Sequence, residues 1–149
     1  PVIDNHESHE MHESETPYRL RLPSPLDAET EELITEVIGC AIEIHKSLGP
    51  GFLESIYKKA MCIELNAHGI PYERERSVSA TYRGIEIRGQ RVDFIVANRI
   101  VIELKAVARL DQIHEAQLIS YLRTTKVRAG LLFNFRVPYL PQGMRRIVL

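Results

Sequence analysis

Residues 91–105 read RVDFIVANRIVIELK, and this stretch predicts the centre of the fold. Two apolar runs with strand-forming residues flank a short turn around Asn98. Glu103 and Lys105 are two residues apart, so both side chains project from the same face of the second strand. A carboxylate and an ammonium on such an apolar strand are costly unless they pair or bind a ligand.

Asp93, on the preceding strand, is the natural third member of this charged group. Directly opposed residues in a hairpin share a face of the sheet. A two-residue turn would place Asp93 opposite Leu104, on the wrong face of the pleat. A three-residue loop at residues 97–99 would place it opposite Glu103. The sequence therefore predicts an odd-length loop or a bulge between these strands.

The expected chemistry of this group is hydrolysis of a phosphodiester bond. Two converging carboxylates offer hard oxygen ligands of the kind that Mg²⁺ or Mn²⁺ prefers. A neighbouring lysine can hold an attacking water or stabilise charge on a phosphate oxygen, while the ion acidifies the water. The competing interpretation of Glu103 and Lys105 is an ion pair at the edge of a sheet.

Helices and further strands are predicted around this stretch. One helix begins after Asp27, a typical N-cap residue, and ends at the Gly-Pro-Gly of residues 49–51. A second covers about residues 53–68, and a third follows Asp111. Strands are expected at residues 77–82, 85–87, 91–97, 100–106, 129–135 and 145–149.

The charge of the chain is divided unevenly along its 149 residues. The formal net charge is −1, but residues 1–32 carry −7 and residues 33–149 carry +6. Residues 1–25 are therefore predicted to form a flexible acidic tail, and residues 26–149 a single domain. A mildly basic domain permits a polyanionic partner.

Other features of the composition bear on location and on metal binding. No apolar run approaches the ~20 residues that cross a bilayer, so no membrane partner is expected. Cys40 and Cys62 are too few for a disulfide framework or a structural zinc site, and they fit a reducing, cytoplasmic location. His6, His9 and His12 form either a metal-binding face on a transient helix or a solvated polar segment.

Three separated motifs resemble those of a known family. Asp93 followed by Glu103-Leu104-Lys105 resembles the D…(D/E)xK core of the PD-(D/E)XK nuclease superfamily. The segment GFLESIY at residues 51–57 looks like the motif of one branch, the GxxExxY proteins. Flanking segments that also match are IHKSLGPG at residues 44–51 and HEAQ at residues 114–117. The proline of the superfamily name is replaced here by Val92.

The resemblance implies an α/β fold of the restriction-endonuclease-like type, with a mixed central sheet flanked by helices. It also implies a divalent metal ion, Mg²⁺ or Mn²⁺. The implied site residues are the metal ligands Asp93, Glu103 and Glu54, the catalytic lysine Lys105, and the site-shaping pair Gln117 and Tyr121.

Several residues have a second interpretation beside a role in the site. His114 and Tyr57 are candidate substrate contacts, although Tyr57 also suits packing with a hydrogen-bonded hydroxyl. Glu54 is equally an acid favoured by the dipole at a helix N-terminus. The basic residues that could line a nucleic-acid path, or be ordinary solvated surface, are Lys46, Lys58, Lys59, Arg74, Arg76, Arg109 and Arg123.

Together these observations predict a metal-dependent nuclease acting on nucleic acid, with DNA favoured over RNA. A homodimer or a protein partner could complete substrate binding. One alternative is a catalytically silent nucleic-acid-binding module of the same fold, which has no physical reason to keep an expensive charged strand. Another is a homo-oligomeric assembly protein whose acidic tail covers the basic domain.

Overall fold

The computed structural model of the protein describes residues 24–149. Residues 1–23, which hold most of the predicted acidic tail and its three histidines, lie outside this range. None of the helices within residues 24–149 combines the length and the apolar composition that crossing a bilayer requires.

Two helices open the described part of the chain. Helix α1 spans Ala28–Leu48 and helix α2 spans Glu54–Ala67. The predicted start of α1 is confirmed, because the Asp27 side chain accepts a hydrogen bond from the Thr30 N–H at 2.7 Å. Gly49 ends the helix with φ +69°, in the left-handed region that favours glycine.

Five strands form one mixed sheet in the order β1-β2-β3-β4-β5. Their bounds are Tyr72–Tyr82 for β1, Ile85–Val96 for β2, Ile100–Lys105 for β3, Ala129–Asn134 for β4 and Met144–Val148 for β5. Neighbouring strands are antiparallel except β3 and β4, which are parallel and are connected through helix α3, Gln112–Thr125. A short 3₁₀ helix, Leu140–Gly143, precedes β5. The predicted mixed sheet flanked by helices is confirmed.

One predicted interruption of the sheet is wrong. The sequence predicts separate strands at residues 85–87 and 91–97, but the structure has the single strand β2. Gly89, with φ +141°, lies where the register of β1 against β2 shifts between Val78 and Ser79. The glycine therefore supports a β-bulge within a continuous strand instead of a turn between two strands.

The loop between β2 and β3 confirms the predicted odd length. Val96 pairs with Ile100, which leaves the three residues 97–99 in the loop. The same register, continued along the two strands, brings Asp93 and Glu103 beside each other.

Apolar side chains cover both faces of the sheet. Helices α1 and α2 pack on one face, and α3 packs on the other through residues such as Leu118, which contacts the cluster that includes Val101. All residues of β4 are buried, as expected for a strand between two layers. Because alternate residues of a strand share a face, Glu103 and Lys105 lie on the α3 face with Val101.

Candidate active site

Strands β2 and β3 stop pairing through their backbones where Asp93 and Glu103 meet. The last backbone pair on that side is Phe94 with Ile102. Beyond it, Glu103 Oε1 accepts a hydrogen bond from the Asp93 N–H at 2.9 Å, and Asp93 Oδ2 accepts one from the Leu104 N–H at 2.8 Å. Each carboxyl group thus satisfies a backbone donor of the opposite strand, and the two groups lie side by side.

Both carboxyl groups are removed from solvent. Asp93 is 6% exposed and Glu103 is 4% exposed. Burial, followed by the negative charge of Asp93, raises the pKa of Glu103 to about 8. The hydrogen bond from the Asp93 N–H and the charge of Lys105 lower this pKa, but they do not offset burial. Burial beside Asp93 therefore favours the protonated form of Glu103.

Lys58 brings a positive charge into the same pocket. Its Nζ lies 2.9 Å from Asp93 Oδ1 and 3.2 Å from Glu54 Oε2. The Lys58 side chain is 19% exposed and that of Asp93 is 8% exposed, so solvent screens this ion pair only partly. Glu54 and Lys58 are one turn apart on α2 and share a helix face. Glu54 is thus linked to Asp93 through the ammonium of Lys58.

A second row of polar groups extends from β3 to α3. Lys105, the last residue of β3, donates from Nζ to Gln117 Oε1 at 3.4 Å, and Gln117 Nε2 donates to Tyr121 Oη at 2.9 Å. Burial, followed by the charge of Glu103, raises the pKa of the Tyr121 hydroxyl, which therefore stays neutral. Three residues singled out from the sequence form one hydrogen-bonded row beside Glu103.

The two candidate substrate contacts have other roles in the structure. Tyr57 is fully buried, and its hydroxyl donates to the Gly49 carbonyl and accepts from the Phe52 N–H. The burial of Tyr57 and the two partners of its hydroxyl agree with the packing interpretation. His114 Nδ1 accepts a hydrogen bond from the Asp111 N–H at 2.9 Å, which makes the imidazole part of the N-terminal cap of α3.

The comparison with protein families matches residues 31–147 to the PD-(D/E)XK nuclease superfamily. The chain belongs to this superfamily. The matched region contains α2, β2, β3 and α3, which together carry the candidate site residues described above. Searches of curated proteins and of solved structures each gave no match. The narrower resemblance to the GxxExxY branch stays a prediction from the GFLESIY motif.

Members of the PD-(D/E)XK superfamily are usually nucleases that use divalent metal ions, and the donor set here fits such an ion. Asp93 and Glu103 lie side by side and would offer carboxylate oxygens, which are hard ligands, whereas Glu54 is linked to Asp93 through the ammonium of Lys58. The ammonium of Lys58 balances part of the negative charge, and burial favours the protonated form of Glu103. A divalent cation carries the two positive charges that would replace the ammonium and the proton.

Lys58 is the site residue that the sequence did not single out. The sequence groups it with basic residues of a possible nucleic-acid path, whereas the structure places it between Asp93 and Glu54. The sequence feature that could have indicated this role is the spacing of Lys58, which follows Glu54 by four residues and so shares its helix face. Arg74, from the same group, lies over the Phe94 ring at 5.4 Å from the ring centre.

The variant Glu103→Gln is expected to remove much of the pH dependence of stability in the metal-free protein. The folded state raises the pKa of Glu103 from 4.5 to about 8, so it binds more protons than the unfolded state between these pH values. The free energy of unfolding of the wild type should therefore fall as pH rises through this window. Urea unfolding in chelator across the same pH range measures the slope.

The matched control for this experiment is Glu43→Gln, because Glu43 is an exposed residue on α1. It should unfold with the wild-type pH dependence. If Glu103→Gln also kept the wild-type slope, Glu103 would not be the titrating group.

Proposed function

We propose that the protein is a metal-dependent nuclease that hydrolyses phosphodiester bonds of nucleic acid, with DNA favoured over RNA. The supporting observation is the buried pair of Asp93 and Glu103, with Lys105 on the same sheet face as Glu103. Burying two neighbouring carboxyl groups is unfavourable for folding. Such an arrangement is typical of a site that binds a cation and uses its charge.

Each residue of the site has a distinct role in this proposal. Asp93, Glu103 and Glu54 would hold Mg²⁺ or Mn²⁺, and the ion would supply an acidified water and neutralise charge on the phosphate. Lys105 donates hydrogen bonds that orient the attacking water and stabilise the negative phosphate oxygen. Gln117 accepts a hydrogen bond from Lys105 and restricts the position of its ammonium. Tyr121 in turn fixes the amide of Gln117.

Lys58 acts in this proposal as a cation that the metal must displace. Its ammonium contacts two of the three proposed ligands, Asp93 and Glu54. Two cations beside the same carboxylates repel each other, so a bound ion would weaken the contact of Lys58 with Asp93.

The hairpin formed by β1 and β2 provides a surface for the substrate close to the site. Residues 80–91 are all exposed, and β2 leads from them directly to Asp93. This segment contains Arg83, Arg88 and Arg91 against the single acid Glu86. Exposed arginines favour contact with phosphate groups. We therefore place nucleic acid along this hairpin, with the scissile phosphate at its base.

The test is a cleavage assay with labelled single- and double-stranded DNA and RNA. Each substrate is incubated with the full chain in Mg²⁺, in Mn²⁺ or in chelator. We expect cleavage of at least one substrate with either ion and none in chelator. Absence of metal-dependent cleavage on all four substrates would overturn the proposed activity.

The second candidate function is a catalytically silent nucleic-acid-binding module. The observation that favours it is the bridge of Lys58 between Asp93 and Glu54, since an ammonium already balances part of the site's charge without a metal ion. A silent module would bind nucleic acid equally well in chelator and in Mg²⁺, and it would leave every substrate intact. Binding measured in parallel with cleavage therefore separates the two functions.

A further inference from the structure

A second group of metal-ligating side chains lies on helices α1 and α2, apart from the proposed active site. It consists of Cys40 on α1 with Glu64 and His68 at the end of α2. One donor atom from each residue lies within 4.8 Å of the other two. Glu64 is ten residues beyond Glu54 along the same helix, which is roughly 15 Å at 1.5 Å per residue.

We propose that Cys40, Glu64 and His68 form a binding site for a borderline-soft divalent ion of the zinc class. A thiolate, an imidazole and a carboxylate are the three ligand types that Zn²⁺ takes in proteins. A thiolate does not suit the hard ions Mg²⁺ and Mn²⁺ proposed for the nuclease site. The two sites therefore differ in ligand chemistry as well as in position.

The geometry of this cluster is close to that of a tetrahedral zinc site. Ligand bonds of about 2.0 to 2.3 Å at tetrahedral angles put donor atoms roughly 3.3 to 3.6 Å apart. His68 Nε2 and Glu64 Oε2 already lie 3.6 Å apart. The remaining donor atoms lie within 4.8 Å of one another, so they need to come closer by at most about 1.5 Å to reach tetrahedral spacing, which side-chain rotation can supply.

Helical spacing explains why these residues converge. Glu64 and His68 are four residues apart on α2, so their side chains lie on one face. Helix α2 thus contributes two ligands with i, i+4 spacing, and α1 contributes the sulfur of Cys40. Burial is the main reason that the pKa of the Cys40 thiol is raised to about 11, so metal binding would have to displace the thiol proton.

Burial of the three residues sets the direction from which an ion would enter. Cys40 is fully buried, whereas the side chains of Glu64 and His68 are 26% and 46% exposed. The ion would therefore enter between Glu64 and His68 and reach the sulfur last. Once bound, it would join α1 to the C-terminal turn of α2 and stabilise the packing of these helices.

The sequence predicts no structural zinc site, because two cysteines are too few to supply its ligands by themselves. The structure changes this expectation by bringing a histidine and a glutamate from another helix to Cys40. Cys62 does not belong to the cluster and remains a second free thiol.

The test is titration of the full-length protein with Co²⁺, a spectroscopic substitute for Zn²⁺, in the presence of reductant. We expect a thiolate-to-cobalt charge-transfer absorption that saturates at one equivalent and disappears when Zn²⁺ is added. The nuclease site and the histidines at residues 6, 9 and 12 contain no thiol, so they cannot produce this absorption. The readout is therefore independent of nuclease activity.

Three variants assign the absorption to this cluster. Cys40→Ser should abolish it, and Cys62→Ser, the matched control, should leave it unchanged. His68→Gln alters a largely exposed side chain, so the variant should fold normally and bind Co²⁺ at least about tenfold more weakly. Zn²⁺ should also raise the Tm of the wild type but not that of His68→Gln.

Several results would overturn the proposal. Absence of the absorption in the wild type would exclude a thiolate ligand. If the absorption persisted in Cys40→Ser or disappeared in Cys62→Ser, Cys40 would not be the thiolate ligand. Equal affinity of His68→Gln and the wild type would exclude the imidazole as a ligand. If Cys40→Ser did not fold, two variants would still test the site. Weaker Co²⁺ binding by His68→Gln, with unchanged binding by Cys62→Ser, would support it, and the reverse pattern would contradict it.

Discussion

Lys105→Ala is expected to lower metal-dependent cleavage by about 10² to 10³-fold, the range seen when one donor that stabilises transition-state charge is removed. Lys105 ends β3 on the face shared with Glu103, and its ammonium is hydrogen-bonded to Gln117. Alanine keeps the strand but removes the donor to the attacking water and to the phosphate oxygen. The measurement is the rate of cleavage at saturating Mg²⁺ or Mn²⁺, on whichever substrate the wild type cleaves best.

The control variant is Lys126→Ala, which removes the lysine that ends α3 and lies outside the proposed site and the possible nucleic-acid path. It should retain the wild-type rate, and it also controls for contaminating nucleases carried through purification. The metal affinity of Lys105→Ala should change little, because Lys105 is not a proposed metal ligand. Equal cleavage by Lys105→Ala and the wild type would remove Lys105 from the mechanism.

The sequence predicted those parts of the fold that depend on local rules. Asp27 is a strong N-cap residue, and α1 begins directly after it. The odd length of the loop at residues 97–99 followed from requiring Asp93 and Glu103 to share a face. This requirement is a consequence of the strand period alone, so it needed no knowledge of tertiary packing.

The parts that the sequence did not predict depend on context beyond a few neighbouring residues. Gly89 is compatible with a turn and with a bulge, and only its pairing with β1 decides for the bulge. The sequence left Tyr57 open between substrate contact and packing, and only the fold shows that its hydroxyl donates to the carbonyl of Gly49. Lys58 belongs to the site because α2 packs against the sheet near Asp93, which is a tertiary contact.

Lys58→Met is expected to destabilise the protein in chelator by about 1 to 3 kcal/mol, less than the effect of removing one partner from a fully buried ion pair, because the Lys58 side chain is 19% exposed. Methionine retains most of the apolar stem but leaves Asp93 without its ammonium. The same change is expected to tighten Mn²⁺ binding by about tenfold, equivalent to about 1.4 kcal/mol, because the ion no longer displaces a competing cation. Urea unfolding in chelator and calorimetric titration with Mn²⁺ measure the two effects.

The opposite signs of these effects make the prediction specific to a competing cation. A lysine that only packed against its neighbours would lower stability without tightening metal binding. Lys58→Arg keeps the charge and should remain close to the wild type in metal affinity, while Lys59→Met tests the effect of a methionine on the exposed side of α2. If Lys58→Met bound Mn²⁺ no more tightly than the wild type, Lys58 would not compete with the metal.

Added Mn²⁺ should raise the free energy of unfolding more in Lys58→Met than in the wild type, since the ion then supplies the positive charge that Asp93 has lost.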